Sequence, residues 1–183
     1  GLVGSEMCIR DSVSVVISKS TSIKLPWLKE VLGNYLTVQE ISRFDKQRRR
    51  VITESITKCM DLVIDINELN NSSNAESANI LASEIIDGKL KLKGWNEKCN
   101  NWILRVEFVS QCFPEYEIPK FTEIDKLLVL TDFCEGALSY KEIKDKECWP
   151  YLEKWLSPIH SQTVKKYAPD RIKLENGIEA KVL

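Results

Sequence analysis

The sequence has little of what a catalytic or membrane protein needs. Its 183 residues include one histidine, His160, and the seven glycines stand singly. No Gly-rich loop runs into Gly-Lys-Ser or Gly-Lys-Thr, and no Gly-x-Gly-x-x-Gly occurs, so no stretch of backbone is laid out to cradle phosphates. No acidic pair follows an apolar strand where a P-loop enzyme would hold magnesium. No apolar run approaches the roughly 20 residues of a membrane-spanning helix, so no membrane partner is expected. Neither sign of charge is in excess: 26 Lys and Arg stand against 27 Asp and Glu, a net of −1. That balance excludes a global pull on nucleic acid and leaves only a local basic patch. The six cysteines, at 8, 59, 99, 112, 134 and 148, form no closely spaced pair. Zinc sites use such pairs, and a chain of this size does not need disulfide staples. The expectation is reduced thiols in a cytoplasmic protein, packed as small hydrophobes, with no metal, no cofactor and no catalytic residue.

What is present is the composition of a globular chain. It is 43% hydrophobic and 29% charged, enough to bury a core in one or two small domains. Residues 1–12, GLVGSEMCIRDS, resemble a translated sequencing adapter and lack the layout of a signal peptide. They are set aside, with the expectation that the gene continues upstream. Val13 to Leu25 is β-prone. Pro26 to Leu32 has helical spacing and a Gly33-Asn34 stop. Leu36, Val38, Ile41 and Phe44 lead to a polar turn at Asp45-Lys46-Gln47. From Arg50 to Lys58 apolar and polar residues alternate, with Ile52 and Ile56 on one side and Val51, Thr53, Ser55 and Thr57 on the other. Leu62 to Ile66 reads as one more strand. Short strands so closely spaced predict a small barrel or open sheet over residues 13–69.

The polar run Asn70 to Asn74 is the best boundary, and the period after it is helical. Helices are predicted from Ala75 to Ile86, from Trp95 to a stop before Pro114, and over 124–131. Shorter ones are predicted at 140–144, 147–156 and 161–167. Arg171 to Glu175, Asn176-Gly177 and Ile178 to Leu183 predict a hairpin, because Asn-Gly suits a turn needing positive φ at both positions. The second strand stops in mid-pattern, which reads as a truncated end. The fold class expected is α+β: a β-rich domain, then a mainly helical domain over 74–183 ending in a β-hairpin.

Few residues invite a chemical role. His160 lies in a turn or helix start and reads as a surface or capping residue. Cys99 and Cys148 have no local signature of a nucleophile. The one local basic cluster, Lys46-Gln47-Arg48-Arg49-Arg50, enters a strand where arginines can reach phosphates, or it is a solvated hairpin tip. Phe44 is a single ring near it, fewer than a base-stacking platform uses. The tryptophans at 27, 95, 102, 149 and 155 read as core packing.

Several segments, taken in order, resemble the region after the motor of HrpB-type DExH-box ATP-dependent helicases. They are Ser22 to Asp45, Arg50 to Ile64, Lys93-Gly94-Trp95-Asn96-Glu97, Arg105-Val106-Glu107-Phe108 with Phe113-Pro114, and Tyr167-Ala168-Pro169 with Ile172 to Gly177. The resemblance implies an accessory piece: an OB-like domain over 13–69 and the helical C-terminal domain of that family. It also implies partners, two RecA-like domains in cis that use ATP and Mg2+, and single-stranded RNA. Family members often carry a run of arginines where this chain has Thr53 to Lys58. Only Lys58 keeps the charge, so the nucleic-acid candidates are Arg48, Arg49, Arg50 and, secondarily, Lys58. The competing expectation is a protein-interaction module with no nucleic-acid contact.

Overall fold

The computed structural model describes residues 20–70, 73–174 and 177–181. The adapter-like leader, the β-prone stretch 13–19, Asn176 of the predicted turn and the last two residues lie outside them. Residues 20–24 form no strand, and Leu25 opens a helix, α1 (Leu25–Leu32), with Pro26 in its first turn. Proline fits there because its missing N–H would have no helical partner anyway. Three strands follow: β1 (Leu36–Asp45), β2 (Arg50–Cys59) and β3 (Leu62–Leu69). They form an antiparallel meander in the order β1-β2-β3. Asp45 faces Arg50 at one end and Leu36 faces Cys59 at the other. An OB barrel uses five strands. Among the described residues this sheet has three and stays open.

The β1–β2 tip is shaped by its own side chains. The Asp45 Oδ1 accepts the backbone N–H of Gln47 at 2.8 Å and of Arg48 at 3.0 Å. Arg49 then takes a left-handed φ of 51°, which brings the chain back into β2. The alternation in β2 works differently from the expectation. Val51, read as facing away from the isoleucines, is fully buried in the main core, and Ile56 is only half-buried. The cause is a seam: Val51 N–H donates to Leu138 O at 2.8 Å and Tyr140 N–H to Arg49 O at 3.0 Å. The start of β2 is thus stitched to the helical half.

That half contains α2 (Ala75–Ile86), α3 (Glu97–Cys112), α4 (Glu123–Cys134), α5 (Tyr140–Ile143), α6 (Trp149–Trp155) and α7 (Pro158–Tyr167). A short hairpin, β4 (Arg171–Lys173) and β5 (Glu179–Lys181), follows. With it the α+β expectation is met. Two helices open with reciprocal caps, Asn74 with Ser77 and Thr122 with Asp125. Each such cap satisfies backbone donors that the first turn leaves open. Gly88, φ 74°, ends α2 in a conformation that side chains resist. Leu81, Trp102, Val106, Leu130, Phe133, Leu152 and Val164 are sealed in one core. Burying each large side chain contributes about 1.5–3 kcal/mol. Gly94 lets two segments touch, since a Cβ there would lie 2.0 Å from Lys146 O.

α3 starts two residues later than its apolar pattern predicts. Asn96 is the N-cap and accepts Lys98 N–H at 3.0 Å. Trp95 stays outside the helix and donates its indole N–H to Asn100 Oδ1 at 3.0 Å. α7 starts earlier than predicted because Ser157 caps it, accepting the His160 N–H at 3.2 Å. No described helix is long and apolar enough to cross a membrane.

Candidate nucleic-acid interface

The structure places the three tip arginines together but gives each a different environment. Arg48 is exposed and donates from Nη1 to Glu68 Oε2 at 2.6 Å, with Asp45 Oδ2 3.8 Å from its Nε. Its guanidinium is held more basic than usual, chiefly by the Glu68 hydrogen bond. Arg49 lays its guanidinium over the Tyr140 ring, 3.9 Å from the centroid. Arg50 is half-buried, bridges Ser139 through its backbone, and has a buried Nε without a hydrogen-bond partner. Beside them Arg43 makes a two-pronged contact with Glu54, at 2.9 and 2.7 Å. Glu54 is held below the usual carboxylate range, first by that hydrogen bond. Asp45 is lowered as well, first by the Arg48 backbone N–H. The basic run read along the chain is therefore, in space, interleaved with acidic groups from all three strands of the sheet.

Lys58 does not join this cluster. It sits eight residues along β2 from Arg50, roughly 27 Å at about 3.4 Å per residue, beside Thr37 and Val63. The other candidates stay apart. His160 is half-exposed in the first turn of α7, with no side-chain hydrogen bond or ion pair among the described residues. Cys99, Cys134 and Cys148 are buried free thiols, and burial pushes Cys134 and Cys148 up to about 12. Such thiols are protonated and unreactive at neutral pH. No group of His, Cys, Asp or Glu that could hold a metal occurs among the described residues. Four of the five tryptophans pack in or against the core, whereas Trp27 is exposed.

A second cationic cluster was not legible as a run. A cleft of about 620 Å3 opens where α3 meets α6, α7 and the hairpin, and Lys98, Arg105, Lys165 and Lys181 line it with Trp102 and Trp149. Lys98 Nζ stands 3.9 Å from the centre of the Trp149 ring. Trp149 meets Trp102 edge to face at 5.7 Å. Arg105, mostly buried, donates from Nε to Ala168 O at 2.5 Å. That bond joins the Arg-Val-x-Phe helix to the Tyr-Ala-Pro stretch, two of the segments that carry the family resemblance. Part of the cluster had a signal: Lys98, Trp102 and Arg105 recur at helical spacing on one face of α3. Lys165 and Lys181 arrive from distant chain and had none.

The fold is similar to that of part of HrpB. A crystal structure of the Escherichia coli DEAH/RHA helicase HrpB matches with a TM-score of 0.56 and 16% identity, over 81% of this chain. One of the E. coli DExH-box NTPase HrpB matches with a TM-score of 0.55 and 16% identity, over 87% of this chain. The chain spans about 20% of the length of each HrpB chain. No protein-family model and no curated protein matches the sequence. At this identity the likeness is one of fold alone.

Proposed function

We propose that this chain is a non-catalytic accessory region of an ATP-dependent RNA helicase. The observation that carries the reading is the shared fold with part of HrpB, over most of this chain, in a sequence without any phosphate-cradling loop. Hydrolysis of ATP with Mg2+ is not assigned to these residues, because the sequence has no phosphate-cradling loop. Hydrolysis belongs to RecA-like domains in cis, and this body packs beside them in the cytoplasm and lines the exit of the RNA channel. Arg48 and Arg49 make the contact there. Their ion pair and ring contact are exposed, and exposed pairs are weak enough for a phosphate to displace. Arg50 shapes the tip through its backbone, and Lys58 adds a lone cation at the far end of β2.

The test is binding of a labelled oligouridylate to the 183-residue chain across a salt series. Binding is expected to weaken with salt, and Arg48→Ala with Arg49→Ala is expected to reduce the slope by about 0.7 for each phosphate no longer neutralised. An unchanged slope, or no binding at low salt, removes RNA contact from this turn.

One observation favours a second reading, a protein-interaction module. Leu104 and Phe108 of α3 are exposed beside Ile172 of the hairpin, and together they line an apolar groove. In that reading Phe108→Glu breaks docking to the motor domains and leaves RNA contact untouched.

A further inference from the structure

The cleft on α3 differs from the β1–β2 tip in having donors left over. Arg105 has five N–H donors. Its Nε serves Ala168 O, and its nearest carboxylate oxygen, on Asp170, is 3.8 Å from Nη1, too far for a hydrogen bond. The terminal guanidinium nitrogens have no hydrogen-bond partner among the described residues, in a side chain with 16% exposure. Lys98 has no carboxylate partner among the described residues and rests over Trp149. The Trp102 indole N–H is buried without an acceptor, in a residue 1% exposed that lines the cleft. An unmade buried hydrogen bond costs about 1–3 kcal/mol, so a ligand oxygen within reach of that donor would recover energy.

We propose that this cleft binds a nucleoside phosphate, either a free nucleotide or one unit of a single strand. The phosphate meets Arg105 and Lys98, and Lys98 leaves its place 3.9 Å from the Trp149 ring centre to do so. Lys165, paired to Glu153 at 2.9 Å, is a third cation nearby. The base takes the vacated face of the half-buried Trp149 ring. A ring and cations together favour a nucleotide, because bases stack on indoles with a cation alongside. The carboxylates of an acidic peptide use the cations and leave the indole face idle. The volume, about 620 Å3, lies within the roughly 300–1,000 Å3 of small-ligand sites and exceeds the need of inorganic phosphate. Two carboxylates also line the cleft, and both are accounted for. Glu97 binds Lys181 at 2.8 Å, and Asp170 faces Arg105. Burial nevertheless lowers the Arg105 pKa more than Asp170 raises it, so the guanidinium is under-neutralised as it stands.

The inference concerns a face that excludes Arg48, Arg49 and Arg50, so it stands or falls separately from the helicase reading. The test follows the tryptophan indole N–H resonances of the labelled 183-residue chain by NMR. The titrants are uridine monophosphate, oligouridylate, inorganic phosphate and oligoglutamate. Saturable shifts of the Trp102 and Trp149 signals with monophosphate, oligouridylate or both support the site, and the difference between those arms identifies the source. Lys98→Glu with Lys165→Glu, both exposed positions, is expected to weaken that binding about tenfold or more. Arg48→Ala with Arg49→Ala is expected to leave it unchanged. No shift with either nucleotide probe overturns the proposal, as does full binding by the Lys98 and Lys165 double variant. Inorganic phosphate or oligoglutamate shifts equal to those of the nucleotide also overturn it, in favour of a simple anion site or an acidic protein segment.

Discussion

The sheet and the helical half use their apolar residues in opposite ways. In the helices Leu81, Trp102, Leu130, Phe133 and Leu152 close a single core. In the sheet Val38, Leu62, Val63 and Ile66 stand exposed, and the deepest strand residue, Val51, belongs to the helical core. The sheet is held by its ladder, by the Arg43–Glu54 and Arg48–Glu68 pairs, and by the seam at residues 138–140. It is a platform presented by the helices.

The sharpest way to break this comparison is to remove one large side chain from each region. Phe133→Ala is expected to cost about 3–5 kcal/mol, the usual loss for a buried aromatic. Ile66→Ala, at 55% exposure, is expected to stay within about 0.5 kcal/mol. Urea titration of the two variants measures both. Equal losses would mean that the sheet has a core of its own. The next largest effect tests what holds the helical half to its loops. At Gly94 the obstacle to a side chain is backbone, Lys146 O, which cannot swing aside. Gly94→Ala is therefore expected to destabilise by about 1–3 kcal/mol or more, with a lowered urea midpoint. A neutral result would show that the 146–148 segment yields easily.

These same contrasts explain what the sequence could reveal. The helices were legible because the signal is local: the apolar period after the Asn70 to Asn74 boundary, and again over 124–131, marks each helix within its own stretch of chain. The β1–β2–β3 strands were legible from alternation and the polar tip. The face of β2 that enters the core was not, because Val51 is buried by the 138–140 seam, and nothing in its own stretch of chain says so. The pairing of the tip arginine Arg48 with acidic groups was not legible for the same reason. Glu54 and Glu68 neutralise their surroundings from the strands, and a linear reading counts Lys46 to Arg50 alone. The α3 cleft needed Lys165 and Lys181 from afar, so only its Lys98, Trp102 and Arg105 face could have been seen.

The smallest expected effect separates two caps that look alike in sequence. The α2 cap, Asn74 with Ser77 next to the sheet, carries no titratable group. The α4 cap carries Asp125, which accepts from Thr122 Oγ1 at 2.5 Å, from Thr122 N at 2.9 Å and from the Trp155 indole at 3.1 Å. Those contacts, the Thr122 hydroxyl first, hold Asp125 below the ordinary carboxylate value. A carboxylate depressed in the folded state binds its proton more readily when unfolded. Its contribution is therefore complete above the unfolded pKa, about 3.9, and is lost as pH falls through the folded one. Carboxyl NMR should find Asp125 titrating below that value. The stability gap between the native chain and Asp125→Asn should narrow on acidification, while Asn74→Ala costs the same at both ends of the range. An Asp125 that titrates at the ordinary value would place the α4 cap on the same footing as the α2 cap, held by neutral hydrogen bonds alone.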